Sequence, residues 1–316
     1  MKTDLRIVFM GTPDFAVAIL EGILANNYNV VGVITAPDKP AGRGRKINES
    51  AVKLYAQKQG LTILQPTNLK NPDFLQTLHA LQADIQVVVA FRMLPEAVWR
   101  MPALGTFNLH ASLLPNYRGA APINWVLING ETETGVSTFF IDDKIDTGDM
   151  IMQKTVAIEE TDNAGTLHDK LMLTGSQLVI DTLKRIENGT VETTPQRDSS
   201  TLKDAHKLHR DNCKLDWTDT LKNIHNKVRG LNPYPGAWCY LKNHEDTLEI
   251  KIYETHMEVE AHTHPIGKII TSKKHLKVAV TDGYLFIDEL KLPGKRKMTT
   301  NNLLNGYEFH QDAKML

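Results

Sequence analysis

Apolar and polar positions alternate in one rhythm over the first half of the chain and in another over the last third. Leu5 to Met10, Val30 to Thr35 and Ile85 to Ala90 are apolar runs of strand length that read as buried strands. Between them, Glu49 to Gln59 and Pro72 to Gln82 read as helices. Strands alternating with helices predict a parallel sheet with helices on both faces. Thr12 stands where it can cap the helix after the first strand, with Pro13 in the first turn. Ala164 to Asn188 reads as one long helix that stops near Gly189.

The rhythm breaks between Thr190 and His206, where Thr, Ser, Asp and Pro195 read as a linker. Thr218 to Val228 has a helical pattern. After Pro235 the apolar runs shorten to Thr247–Glu254, Ile266–Thr271, Leu276–Val280 and Tyr284–Leu290. Short strands between turns predict a small antiparallel barrel, although periodicity alone does not separate a barrel from a sandwich. The expected organisation is a catalytic domain over 1–189, a linker over 190–206 and a barrel domain over 207–316.

Composition narrows the class. The chain has 316 residues, enough for two domains of ordinary size, and is 41% hydrophobic and 23% charged, as in soluble globular enzymes. Lys and Arg number 36 against 37 Asp and Glu, which argues against a general nucleic-acid coat but not against a local basic surface. Cys213 and Cys239 form no Cys-x-x-Cys, which fits a reducing compartment. Asp4 interrupts the N-terminal region where a signal peptide would lie. No apolar run reaches the roughly 18 residues of a membrane span, so a cytoplasmic protein is expected. Gly11 follows the first strand without a Gly-x-Gly-x-x-Gly, which argues against a dinucleotide.

The candidate chemistry sits at the end of another strand. Gly105 to His110 reads as extended, and side chains two apart on a strand share a face. Asn108 and His110 can therefore address one carbonyl, and Asp146 downstream adds a carboxylate. Amide, imidazole and carboxylate suit acyl transfer, since they stabilise an oxyanion and move a proton. No Ser or Cys occupies a nucleophile elbow, so the nucleophile belongs to a substrate. Gly148 would let the chain turn and present Asp146 inward. Asp142, Asp143, Asp146 and Asp149 lack the spacing of a calcium loop, and His262-Thr263-His264, read as an exposed loop, lacks further ligands, so no metal is expected. Lys39, Arg43, Arg45 and Lys46 lie among Pro37, Pro40, Gly42 and Gly44. They form either a solvated surface or a loop that grips a nucleic-acid end. Lys295-Arg296-Lys297 is a second, shorter basic cluster, and Trp217 and Trp238 read as packing residues.

The run from Asn108 through Pro115 to Asn124, with Asp142 to Asp149, resembles the folate-dependent formyltransferases. The resemblance implies that Asn108, His110 and Asp146 are the catalytic set. It also implies that Ser112, Leu113, Leu114 and Pro115 form a turn against the folate. Val88, Val89, Phe91, Arg92 and Leu94 would form the other wall, with Arg92 where the commoner pattern has Gly. Gly11–Ala16, Pro37–Lys46 and Asn232–Trp238 resemble the branch of that family acting on tRNA. That branch implies a monomer with a Rossmann-like domain and an OB-like barrel. Its formyl donor is 10-formyltetrahydrofolate and its acceptor the free α-amine of methionine on charged initiator tRNA. The barrel and the basic loop would bind the tRNA, with Arg43 matching the key loop arginine. Formyl transfer to a nucleotide-sugar amine is the nearest alternative, and the basic loop argues against it. A 10-formyltetrahydrofolate hydrolase needs no tRNA surface. A non-catalytic RNA- or folate-binding protein would not need the trio.

Overall fold

The early apolar runs become the centre of a seven-stranded sheet. The computed structural model describes residues 4–41, 46–197 and 199–316. Its strands are β1 (Arg6–Gly11), β2 (Asn29–Ile34), β3 (Ile63–Leu64), β4 (Ile85–Val89), β5 (Thr106–His110), β6 (Glu133–Phe140) and β7 (Met150–Ala157). Their order is β7-β6-β5-β4-β1-β2-β3. From β5 to β3 all pairs are parallel. β6 and β7 close one side as antiparallel strands. The apolar pattern marked neither of these two. In β6, Thr134, Gly135, Ser137 and Thr138 interrupt the apolar run, yet the strand is buried from Thr134 to Phe139. Two of its hydroxyls are satisfied locally, Thr138 pairing with Thr182 at 2.9 Å and Ser137 with the Ser112 carbonyl at 2.6 Å, whereas the buried Thr134 hydroxyl has no partner among the described residues.

Helices cover both faces, as the alternation predicts. They are α1 (Asp14–Ala25), α2 (Ala51–Lys58), α3 (Pro72–Ala80) and α4 (Ala164–Glu187). On one face, Val8, Met10 and Val88 pack with Phe74 and Leu78 of α3. On the other, Leu109 lies so close to α4 that a Cβ at Gly175 would come within 2.8 Å of it. Ser50 caps α2 by accepting from the Lys53 amide at 3.0 Å, and Asn71 caps α3. α1 departs from expectation. Pro13, not Thr12, is the N-cap residue, and no side chain caps it. Extended Pro13 uses its carbonyl for Ala16 and Val17, so the helix begins one residue later, and the Thr12 carbonyl instead accepts from Val52.

The chain divides into two compact units. One comprises Met1–Gly119, Glu133–Ala157 and His168–Asp204; the other comprises Ala120–Thr132, Ile158–Leu167 and Ala205–Leu316. In the second unit, β8 (Ala237–Asn243), β9 (Asp246–Glu258), β10 (Ile269–Thr271), β11 (Leu276–Val280), β12 (Gly283–Lys291), β13 (Met298–Thr299) and β14 (Lys314–Met315) form one antiparallel sheet. Its order is β10-β11-β12-β9-β8-β14, with β13 on β12. The end strands return to each other: Ile269 donates to Ala313 and Met315 to Gly267. The sheet is thus a nearly closed barrel, which the sequence pattern left open against a sandwich. A helix over Leu221–Leu231 packs with this barrel's apolar core. It starts later than the predicted Thr218 because Asp216 accepts from the Thr218 amide and hydroxyl, which holds that stretch as a turn. Trp217 and Trp238 lie in the core, as do both cysteines. Burial pushes the Cys239 thiol up to about 12.

Candidate active site

Strand alternation decides which side chains of β5 can meet a ligand. Leu109 turns toward α4, so Asn108 and His110 project from the opposite face. Asn108 aligns with Val88 of β4, which packs on the α3 side. The Asn108 amide is half-buried and makes no hydrogen bond to another described residue. His110 is buried. Its Nε2 lies 2.8 Å from the Tyr117 carbonyl. A carbonyl only accepts, so Nε2 carries the hydrogen and Nδ1 is the nitrogen left to exchange a proton. Nδ1 lies 3.7 Å from Asp146 Oδ2, close enough for charge attraction but longer than a hydrogen bond. The same carboxylate oxygen accepts from the Gly119 amide at 3.0 Å.

The Asp146 turn is built differently from the sequence expectation. Gly148 is not the residue with unusual backbone geometry. Asp146 itself takes the left-handed conformation, with φ 55°. Gly148 is needed for space, since a Cβ there would lie 1.7 Å from the Phe140 carbonyl oxygen. Thr147 donates to both oxygens of Asp142, at 2.8 and 2.9 Å. Gln196 then crosses the turn, donating to the carbonyls of Asp146 and Gly148. No sequence signal marked Gln196, because it follows Pro195 in a stretch with linker composition. That stretch runs along the first unit: Thr194 and Met150 exchange both backbone bonds at 2.9 Å.

The two expected pocket walls differ in what they expose. Ser112 is fully buried and its hydroxyl donates to the Asn116 carbonyl at 2.7 Å. Ser137 of β6 donates to the Ser112 carbonyl at 2.6 Å and accepts from the Leu114 amide at 3.1 Å. Gln153 of β7 donates to the Leu114 carbonyl at 2.8 Å. Leu114 is buried, whereas Leu113 and Pro115 are half-buried. Ser137 and Gln153, which the sequence reading passed over, thus brace this turn from the antiparallel strands. On the other wall, Val88, Val89 and Leu94 are buried and Phe91 is half-buried. Arg92 is exposed. It donates to the Pro66 and Thr67 carbonyls and lies 5.6 Å from the Phe91 ring centre. Arg92 and Leu94 line an open cleft of about 530 Å³ with Lys70, Trp99 and Asp143. This end of the sheet is where the strand order reverses between β1 and β4, the usual ligand position in such sheets.

Of the basic loop, Arg43 and Arg45 lie outside the described residues. Lys39 is exposed. Lys39–Ala41 and Lys46–Asn48 pair as an antiparallel ribbon, with Ala41 opposite Lys46. The ribbon base is clamped. Lys53 Nζ lies 2.5 Å from Asp38 and 2.6 Å from Glu49, one carboxylate on each side of the ribbon. The hydrogen bond from Lys53 holds the Asp38 carboxyl below its usual range, helped by Gln65. In the barrel, Lys295 and Arg296 are exposed and Lys297 pairs with Glu289. His262 is not simply exposed: it is half-buried, with Nε2 against the Val280 carbonyl and its ring on Tyr284.

The family model described as formyl transferase matches residues 5–183, and the model for a formyl transferase C-terminal domain matches 207–308. A methionyl-tRNA formyltransferase of Flavobacterium johnsoniae is 61% identical, covering 98% of this chain and 99% of its own. One from Flavobacterium psychrophilum is 58% identical, covering 98% of each. One from Bacteroides thetaiotaomicron is 52% identical over 99% of each. Among solved structures, an N-formyltransferase from Helicobacter canadensis, crystallised with folinic acid and dTDP-3-aminofucose, has a TM-score of 0.66 at 21% identity, covering 93% of this chain and all of its own. HypX from Aquifex aeolicus in complex with tetrahydrofolic acid has a TM-score of 0.65 at 17% identity, covering 96% of this chain and 47% of its own. At such identity these two structures share the fold.

Proposed function

The chain belongs to the formyl transferase family, and from that premise we propose that it moves the formyl group of 10-formyltetrahydrofolate to the α-amine of methionine on charged initiator tRNA. The product primes translation initiation. The observation that carries this reading is the identity of 52% to 61%, over nearly the whole chain, to methionyl-tRNA formyltransferases.

When bound, the folate supplies an activated formyl carbon and a nitrogen leaving group. The donor set on β5 suits it: a half-buried amide with no described partner faces the same side as a buried imidazole. The Asn108 amide donates to the formyl oxygen as negative charge develops there, and the imidazolium that forms on His110 adds positive charge nearby. His110 Nδ1 takes the proton released when the methionine amine bonds to the formyl carbon. Asp146, 3.7 Å away, stabilises the imidazolium that results. His110 then returns the proton to the departing nitrogen as the old carbon–nitrogen bond breaks, so one proton is moved and none is lost. Lys39, on the ribbon, and Arg43 hold the 3′ end of the tRNA through its phosphates.

The deciding assay compares formyl transfer to charged initiator tRNA, a charged elongator tRNA and a nucleotide-sugar amine. The first is expected to be strongly preferred; equal or faster transfer to the sugar amine would overturn the reading. Arg43→Ala is expected to raise KM for the tRNA and to flatten its salt dependence, while folate binding stays unchanged. Salt-dependent tRNA kinetics identical to the parent would remove the loop from tRNA recognition.

A further inference from the structure

The turn that carries Asp146 has no regular secondary structure to hold it. Asp146 also adopts a backbone conformation that is costly for a residue with a side chain, at φ 55°. Such a turn persists only where its surroundings over-determine it. The Gln196 carboxamide does this. Its Nε2 donates to the Asp146 carbonyl at 3.0 Å and to the Gly148 carbonyl at 2.8 Å, so one NH₂ group spans the turn. Its Oε1 accepts from Arg118 Nε at 3.2 Å and Nη2 at 2.9 Å. Only one orientation of the amide works. Two carbonyls can only accept and a guanidinium can only donate, so a flipped amide would set like against like at every contact.

Arg118 connects this amide to both active-site side chains. The residue before it, Tyr117, offers the carbonyl that holds His110 Nε2. The residue after it, Gly119, offers the amide that holds Asp146 Oδ2. Gln196 therefore ties the backbone beneath Asp146 to the segment that orients both His110 and Asp146. We infer that Gln196 is a positioning residue for the His110–Asp146 pair, acting through the Asp146 turn and Arg118. The inference rests on the reading that this pair moves the proton in formyl transfer. It concerns a residue that touches no reacting atom. Its effect lies in the 3.7 Å separation of Nδ1 and Oδ2, which has to stay fixed while charge appears on the ring.

Gln196→Glu keeps the length of the side chain and the acceptor for Arg118, but sets an oxygen against two carbonyls. Gln196→Met removes both functions at similar size. Gln196 is half-buried, so both variants are expected to melt close to the parent; if one does not, the other decides. The measurements are kcat and KM for each substrate, in the parent and in an Asp146→Asn background. Misplacing a reacting group by about 1 Å costs about a hundredfold. Loss of the amide is expected to lower kcat about ten- to a hundredfold, with both KM values within about twofold. In the Asp146→Asn background the same change is expected to cost almost nothing more, because the group it positions is already disabled. Parent-like kcat, a loss confined to KM, or a loss that multiplies fully with Asp146→Asn would each overturn the inference. Full activity of Asp146→Asn alone would instead overturn the catalytic reading beneath it.

Discussion

Asn108 and Asp146 reach the candidate active site by opposite routes. Asn108 sits on a regular strand and is aimed by alternation alone; Asp146 sits on an irregular turn in an unfavourable conformation and is aimed by its neighbours. Because the Asn108 amide has no described partner, Asn108→Ala is expected to leave the melting temperature unchanged and to lower kcat by about 10² to 10³, the usual loss for an oxyanion donor. His110→Ala is expected to lose at least as much. A folded Asn108→Ala enzyme with parent kcat would remove the amide from the mechanism. The same contrast decides what could be read before the structure. The common face of Asn108 and His110 follows from a period of two. The approach of Asp146 to His110 came only from the family resemblance, since no local spacing encodes it. The contact of Gln196 with Asp146 was illegible, because a Gln in a Thr- and Ser-rich stretch looks the same whether or not it is bonded.

Among the elements, the helix over Leu221–Leu231 carries the clearest link between protons and stability. His225 lies on it, with Nδ1 at 2.9 Å from the Thr255 hydroxyl of β9. Burial, and then the positive charges of Arg229 and His256, hold this imidazole below its ordinary 6.5, against an opposing pull from Asp288. Unfolding returns it to its ordinary value. Below that value the unfolded chain binds more protons than the folded chain, so this contribution to stability is complete above 6.5 and declines as pH falls toward the folded value. The melting temperature is expected to fall on acidification from neutrality, with a shallower slope in His225→Gln; equal slopes would assign the pH dependence elsewhere. The buried early strands and the amphipathic helices were legible as elements, because burial on both faces leaves a dense apolar run. β6 was not, since its Ser137 and Thr138 hydroxyls bond internally and so let a strand that reads as polar be buried. The start of α1 was misread because capping depends on the conformation of Pro13 rather than on the presence of a Thr beside it.

At the scale of the whole molecule, the two units are interleaved in sequence. Ala120–Thr132 and Ile158–Leu167 belong with the barrel although the chain enters and leaves them from the sheet unit. A helix over Pro122–Ile128 meets the helix over Leu221–Leu231 closely: Asn124 donates to the Gly230 carbonyl at 2.7 Å, and a Cβ at Gly230 would lie 2.7 Å from Ile128. Val126 and Leu127 on that helix are almost wholly buried, and Ile128 packs against the barrel core. A fragment of residues 1–206 would lack those partners. It is expected to melt below the full chain and to bind an apolar dye, and to recover when residues 207–316 are added; a fragment that melts like the full chain without binding the dye would show that this packing contributes little. The composition break near residue 190 registers a change of local pattern, whereas spatial grouping depends on contacts that composition does not record.

The bond from Gln196 to Asp146 also has a place in time. The two residues are 50 positions apart, and the ribosome makes the carboxylate first. At about 5 to 20 residues per second, the Asp146 turn exists for about 3 to 10 s before its brace has been synthesised. On the proposed role of Gln196, an unfinished chain that has already folded β5 would hold His110 and Asp146 in loose register, and the register would tighten only after the sequence beyond Pro195 has been added. An enzyme of this formyl transferase family would thus acquire its own activity late in its making.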